Sequence, residues 1–224
     1  MVLFKPSTWF VHPPENPIHR RGLKRRTCVQ WLMDFENIKA SPIHRLDVPT
    51  EGLIIFSKNK TSSTFMNAQF KEQTVKKTYH AVVRGWLRPE SGDIDIPLEL
   101  DSTNELVPCL TSYTTRATLE LNHCIQEKFP TTRYSLLEVN PKSGRWHQIR
   151  RHMNRKSHPI VGDREHGDSR HNRYFRETIG IEGLCLRAAA ITIKHPRTEE
   201  QMTWTSPLTK KWESLFQLFQ TQPF

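Results

Sequence analysis

Apolar and polar residues alternate with period two along much of this chain, and that alternation limits most strongly what it can fold into. It runs through Tyr79, Ala81 and Val83, through Ile94, Ile96 and Leu98, and over the longer stretch Tyr113, Thr115, Ala117, Leu119 and Leu121. Side chains on an extended strand point to opposite faces in turn, so each stretch reads as a strand with one buried face. The run 53–57 and the stretch 134–139 read as further strands, and 185–193 and 201–205 flank His195-Pro196-Arg197-Thr198 as a hairpin. Helical spacing is found in fewer places. Val29, Leu32 and Met33 lie at i, i+3, i+4 within 27–35, and a helix starting near residue 60 carries Phe65, Ala68 and Phe70. Near the end, Trp212, Leu215, Phe216 and Phe219 give a helix one apolar face. Strands outnumber helices and rarely alternate with them, so the expected class is α+β with a mixed, largely antiparallel sheet.

The chain has 224 residues with 36% hydrophobic content, enough for one sizeable domain. No internal repeat or long linker divides it, so residues 41–224 are expected to form one domain behind an irregular basic arm at 1–40. Five prolines (Pro6, Pro13, Pro14, Pro17 and Pro42) fall in or just after that arm. No apolar run approaches the length of a membrane span, and Lys5 and three prolines interrupt the first fourteen residues, unlike a signal peptide. A cytoplasmic monomer is expected.

Lysine and arginine number 33 against 23 acidic residues, a net charge of +10. The excess is concentrated. Residues 1–30 hold six basic residues against Glu15 alone, and residues 142–176 hold ten against Asp163, Glu165 and Asp168. Two basic blocks on a near-neutral body point to a polyanionic partner. The arm's Arg20, Arg21, Lys24, Arg25 and Arg26 are the densest part of the first block.

Several chemistries have no foothold. There is no phosphate-binding GxxxxGK[ST] loop, no GxGxxG, no HExxH and no GxSxG. Cys28, Cys109, Cys124 and Cys185 form no CxxC pair and read as reduced thiols. Five of the eleven histidines lie between His147 and His171, but among so many arginines they read as hydrogen-bonding groups facing phosphate, and no metal site is expected.

Two segments carry candidate chemistry. In HRLDVPTEGLIIF (44–56), Asp47 follows basic side chains in a Pro/Gly loop just ahead of a buried strand, where reactive groups are commonly held; a turn or capping role is the plainer reading. In PKSGRWHQIRRHM (141–153), Ser143 and Gly144 suit a helix start, with Trp146, Ile149 and Met153 as the buried stripe. Arg150 lies beside that stripe and is placed to turn inward to a carboxylate, whereas Arg151 suits phosphate.

With KKTYHAVVRG (76–85) and SHPIVGDREHGDSRHN (157–172), these segments in this order resemble the RluA-type pseudouridine synthases, from about Lys5 to the end of the chain. PTTRY (130–134) and the stretch 162–177 look most like the branch that modifies tRNA at uridine 65. The resemblance implies the pseudouridine synthase fold and an isomerase acting on RNA without a cofactor. It implies Asp47 as the catalytic aspartate, Tyr79 as the residue packed on the uracil, and Arg150 as the partner of the aspartate. It further implies that Arg45 enters the RNA stack in place of the target base. Arg145, His147, Arg151, Arg170 and Arg173 are the remaining expected RNA contacts. Departures are Val48 after the aspartate, Thr50-Glu51-Gly52 where TSG is common, and a nearly absent strand ahead of KPS.

Pseudouridine formation exchanges one glycosidic bond for another, so the site must keep water out and a single ionised carboxylate suffices, whereas glycosidases commonly need two. Asp47 could attack C1′ or take a proton from C2′. A base within a stem must be flipped out, at a cost of a few kcal/mol, and filling and stacking residues offset that cost. A ribosomal RNA target and an inactive RNA-binding module of the same fold are the alternatives.

Overall fold

The computed structural model describes residues 1–13, 27–100 and 103–224. The dense basic cluster at 20–26 therefore lies outside the described residues. The described chain divides into two compact units, one formed by 1–77 and 188–207, the other by 78–187 and 208–224.

In the first unit, β1 (Val2–Lys5) pairs antiparallel with β3 (Glu51–Ser57), Val2 opposite Ile55 and Lys5 opposite Gly52. The segment ahead of KPS, expected to be nearly without a strand, thus forms a short one. A two-residue strand β2 (Ser41–Pro42) adds to the far end of β3. Every residue of β3 is buried, which explains an uninterrupted apolar run where alternation would mark a half-exposed strand. Helix α1 (Cys28–Glu36) is capped by Thr27, whose hydroxyl accepts from the Gln30 N–H, and it ends at Asn37 in the left-handed region. Its buried residues are Cys28 and Leu32, while Met33 is exposed, so the apolar stripe is rotated from the one the spacing suggested. Helix α2 (Lys60–Lys71) begins at the cap Asn59 and buries Met66 against Leu53, Ile55, Ile191 and Ile193. The expected hairpin is present: Ala190–Lys194 of β10 (Leu186–Lys194) pairs antiparallel with β11 (Gln201–Thr205).

The second unit is built on an antiparallel ladder. β4 (Lys76–Arg84), from Thr78 onward, pairs with β9 (Thr132–Pro141), β9 with β8 (Leu110–Leu121), and β8 with β5 (Ser91–Asp95). A register shift between Thr115 and Ala117 leaves Arg116 as an extra residue in β8. A short separate pair joins β6 (Leu98–Glu99) to β7 (Leu106–Val107). Ala81, Val83, Leu137 and Val139 form the core with Met153 of α3 (Gln148–Arg155) and Trp212, Leu215 and Phe216 of α5 (Lys210–Leu218). Between them lie the short helix α4 (Ser169–Tyr174) and a π-helical turn, Phe175–Ile179, which no periodicity announced. Among the described residues no helix is long and apolar enough to cross a membrane.

Candidate active site

Asp47 sits half-buried in the loop between β2 and β3, and two anchors fix that loop. On one side His44 Nε2 accepts the Ile55 N–H at 3.1 Å, and the imidazole stacks on Phe70. Burial, with Lys77 nearby, lowers the His44 pKa to about 4, so the ring is neutral and able to accept. On the other side the ammonium of Lys5, fully buried, donates to the carbonyls of Pro6, Trp9 and Val48 at 2.9, 2.9 and 3.1 Å. The Thr8 N–H donates to the same Val48 carbonyl, and the Thr50 N–H donates to the Asp47 carbonyl at 3.0 Å. The backbone on both sides of Asp47 is thereby held while its side chain stays within reach of solvent. Gly52 closes the loop onto the strand: its φ of +125° and an Ala188 oxygen 2.2 Å from where a Cβ would stand admit only glycine. Arg45 is exposed beside this loop.

Sequence reasoning missed Lys5 as a structural group. The available signal was a lone lysine in an apolar strand followed by proline, since an ammonium in such a place must collect carbonyls.

In the second unit Tyr79 is half-buried on β4 opposite Val139 and packs against the core. Arg150 on α3 is 2% exposed and makes a bidentate pair with Asp163: Nε to Oδ2 is 2.7 Å and Nη2 to Oδ1 is 2.8 Å. Its Nη2 also reaches Glu165 Oε1 at 3.0 Å. Burial pushes the Asp163 carboxyl up, but Arg150 and the N–H groups of His166 and Glu165 outweigh it and hold the pKa below the ordinary value. The inward turn of Arg150 to a carboxylate was expected; that Asp163 and Glu165 receive it was not legible.

The segment ahead of α3 differs from expectation. The helix starts at Gln148, not near Ser143, because His147 adopts the left-handed conformation (φ 49°) and breaks the turn. Ser143 Oγ and the Arg145 N–H donate to Gln148 Oε1, whose amide in turn donates to Leu110 and Thr111. Trp146 consequently lies outside the core, exposed and stacked on His147 at 3.9 Å. Arg151 lies 5.7 Å from the Trp146 ring and bonds to Glu99, through its carbonyl at 3.0 Å and its carboxylate at 3.1 Å. Arg145 and Arg173 are exposed, and Arg170 is held by both oxygens of Asp168, which also receives Arg84.

The histidine cluster serves mainly internal bonds. His152 links Thr111 and the Ile96 carbonyl, and His158 reaches the Arg84 carbonyl. His147, Glu165 and His166 bring ligand atoms within 4.8 Å of one another. Those atoms are engaged already, the two rings by each other at 3.0 Å and Glu165 by Arg150.

Residues 1–155 match the family described as RNA pseudouridylate synthase. The chain is 38% identical to the tRNA pseudouridine synthase C of Vibrio vulnificus, over 91% of this chain and 87% of that protein. It is 35% identical to the protein of the same name from Yersinia pestis, over 96% and 85%. Among solved structures, human RNA pseudouridylate synthase domain containing 4 superposes with a TM-score of 0.69 at 20% identity, covering 97% of this chain and 88% of that one. At that identity the last likeness speaks for the fold.

Proposed function

The chain belongs to the RNA pseudouridylate synthase family, and from that premise we propose that it isomerises a uridine of tRNA, at position 65, to pseudouridine. The observation that carries the substrate is the identity of 35–38%, over most of the chain, to relatives named tRNA pseudouridine synthase C.

The reaction breaks the C1′–N1 bond, turns the uracil and joins C1′ to C5. C5 then loses its proton and N1 gains one, so atoms balance and no electron pair leaves the substrate. No cofactor is needed. In this reading Asp47 is the catalytic carboxylate, acting at C1′ or on the C2′ proton. Tyr79 packs against the uracil, Arg150 balances the carboxylate charge, and Arg45 takes the place vacated by the flipped base. What supports the assignment of Asp47 is a loop fixed by His44 and Lys5, which presents one half-buried carboxylate from a rigid backbone. Arg145, His147, Arg151, Arg170 and Arg173 take the RNA strand.

The test is to incubate the purified protein with unmodified tRNA and with ribosomal RNA, and to map pseudouridine in each. Conversion at position 65 of tRNA is the expected result. Conversion in ribosomal RNA alone would replace the substrate, and binding without conversion would leave only an RNA-binding module.

A further inference from the structure

PTTRY and the stretch 162–177 mark this chain off within the resemblance of its sequence, yet no catalytic role absorbs them. In the second unit they meet around one cleft of about 490 Å³, lined by Phe129, Thr131, Arg133, Arg84, Arg170 and His171 among others. None of the residues lining it is acidic. Arg84 is five residues along β4 from Tyr79, which puts the cleft about 17 Å away from it along the strand.

His171, which lines this cleft, carries an unsatisfied group. Tyr134 is fully buried and its hydroxyl lies 3.0 Å from His171 Nδ1. A buried phenol must give its proton to an acceptor, and His171 Nδ1 is the acceptor the structure provides, which leaves the imidazole proton on Nε2. Nε2 is buried and has no partner. Burial chiefly lowers the His171 pKa to about 4, so the ring is a neutral donor. A buried N–H without an acceptor is costly, and a ligand oxygen would relieve it. Three guanidiniums line the same cleft. Arg133 lies 4.2 Å from the centre of the Trp86 ring, with its Nε on Glu120. Arg84 and Arg170 share Asp168. Phe129 adds an aromatic wall that is 52% exposed. An anionic oxygen acceptor joined to a flat apolar group fits this combination, and a nucleotide is that molecule.

We propose that the cleft holds one nucleotide of the substrate RNA, distant from the uridine being isomerised, with its phosphate on the arginines and His171 and its base against Phe129. The inference rests on the reading of the protein as a tRNA-modifying enzyme. It assigns the two distinguishing stretches to choosing the RNA, whereas the Asp47 loop does the chemistry.

The test compares wild type with Phe129→Ala and Arg133→Gln, both at exposed side chains whose replacement leaves the core intact. Affinity is measured for whole tRNA, for a short stem-loop carrying the target uridine, and for uridine monophosphate. The expected result is a loss of about tenfold for whole tRNA in either variant, the size of one base stacked on an aromatic ring, with unchanged affinity for the stem-loop. Equal tRNA affinity in wild type and both variants would overturn the proposal, provided wild type still converts tRNA. If wild type does not convert tRNA, the reading of the enzyme fails first, and the two failures are thereby distinguished. Loss of monophosphate binding with intact tRNA binding would make the cleft a site for a free nucleotide, and would equally overturn it.

Discussion

Lys5 Nζ donates to the carbonyl of Val48 at 3.1 Å, joining the first strand to the residue after Asp47 across 43 positions of chain. Lys5→Met would take that donor from the Pro6 and Trp9 carbonyls, each worth roughly 1–3 kcal/mol when stranded, while the Val48 carbonyl would keep the Thr8 N–H. Lys5 is a positioning residue, so its loss should lower kcat well beyond any change in KM, along with the melting temperature. A variant that melts earlier but keeps the wild-type kcat would show that the bond serves stability alone.

Asp47→Asn keeps the shape of the side chain and removes its ability to attack or to take a proton. Turnover should fall by roughly 10³-fold or more, as loss of a reacting group does, while RNA affinity and melting temperature stay near wild type. Substantial residual turnover would move the catalytic role elsewhere.

The Arg150–Asp163 pair sets an acid limit on stability. The folded Asp163 pKa lies below its unfolded value of about 3.9, so the stabilisation is full above that value and is lost as pH falls toward the folded one. Asp163→Asn should therefore cost about 3 kcal/mol at neutral pH, because it removes the bidentate carboxylate from a buried guanidinium and leaves Glu165 on one of its nitrogens. It should also flatten the stability curve below about pH 4 relative to wild type. Denaturant midpoints at pH 6 and pH 3 measure both effects. Parallel curves would mean that the carboxyl titrates alike in both states.

Gly52→Ala asks β3 to hold an L-residue at φ +125° with a carbonyl 2.2 Å from its Cβ. A loss of about 3 kcal/mol is expected from the backbone alone, with the clash in addition. Since Gly52 ends the Asp47 loop, activity should fall further than stability when both are measured at low temperature. An alanine variant as stable as wild type would contradict the tight approach of the two strands.

Arg145 and Arg173 are exposed in the basic block 142–176 and serve as its test for phosphate contact. If each meets one phosphate, replacing both by serine should reduce the slope of log affinity against log salt by about 2. An unchanged slope would place the RNA elsewhere on the surface.

Strands were easiest to foresee, because a period of two is written into β4 and β8 residue by residue. The terminal helix was equally plain from Trp212, Leu215, Phe216 and Phe219, all buried as its spacing requires. The start of α3 was misplaced because a left-handed histidine has no sequence mark, whereas a glycine in that role would have one. The destination of Arg150 was hidden for a different reason: Asp163 is thirteen residues away, and only the fold brings the pair together. Lys5 was hidden by its type, since a lysine is presumed to be at the surface until its carbonyls are seen. The loop holding Asp47 could be read locally, but what holds the loop could not.

The first unit is discontinuous, residues 1–77 being completed by 188–207. Ile191 and Ile193 complete the core that backs β3, the strand following the Asp47 loop. During synthesis that core has to wait for the closing hairpin, made more than a hundred residues after Asp47, before it can close. A nascent chain therefore carries Asp47 more than a hundred residues before it carries the strands that close the core behind its loop.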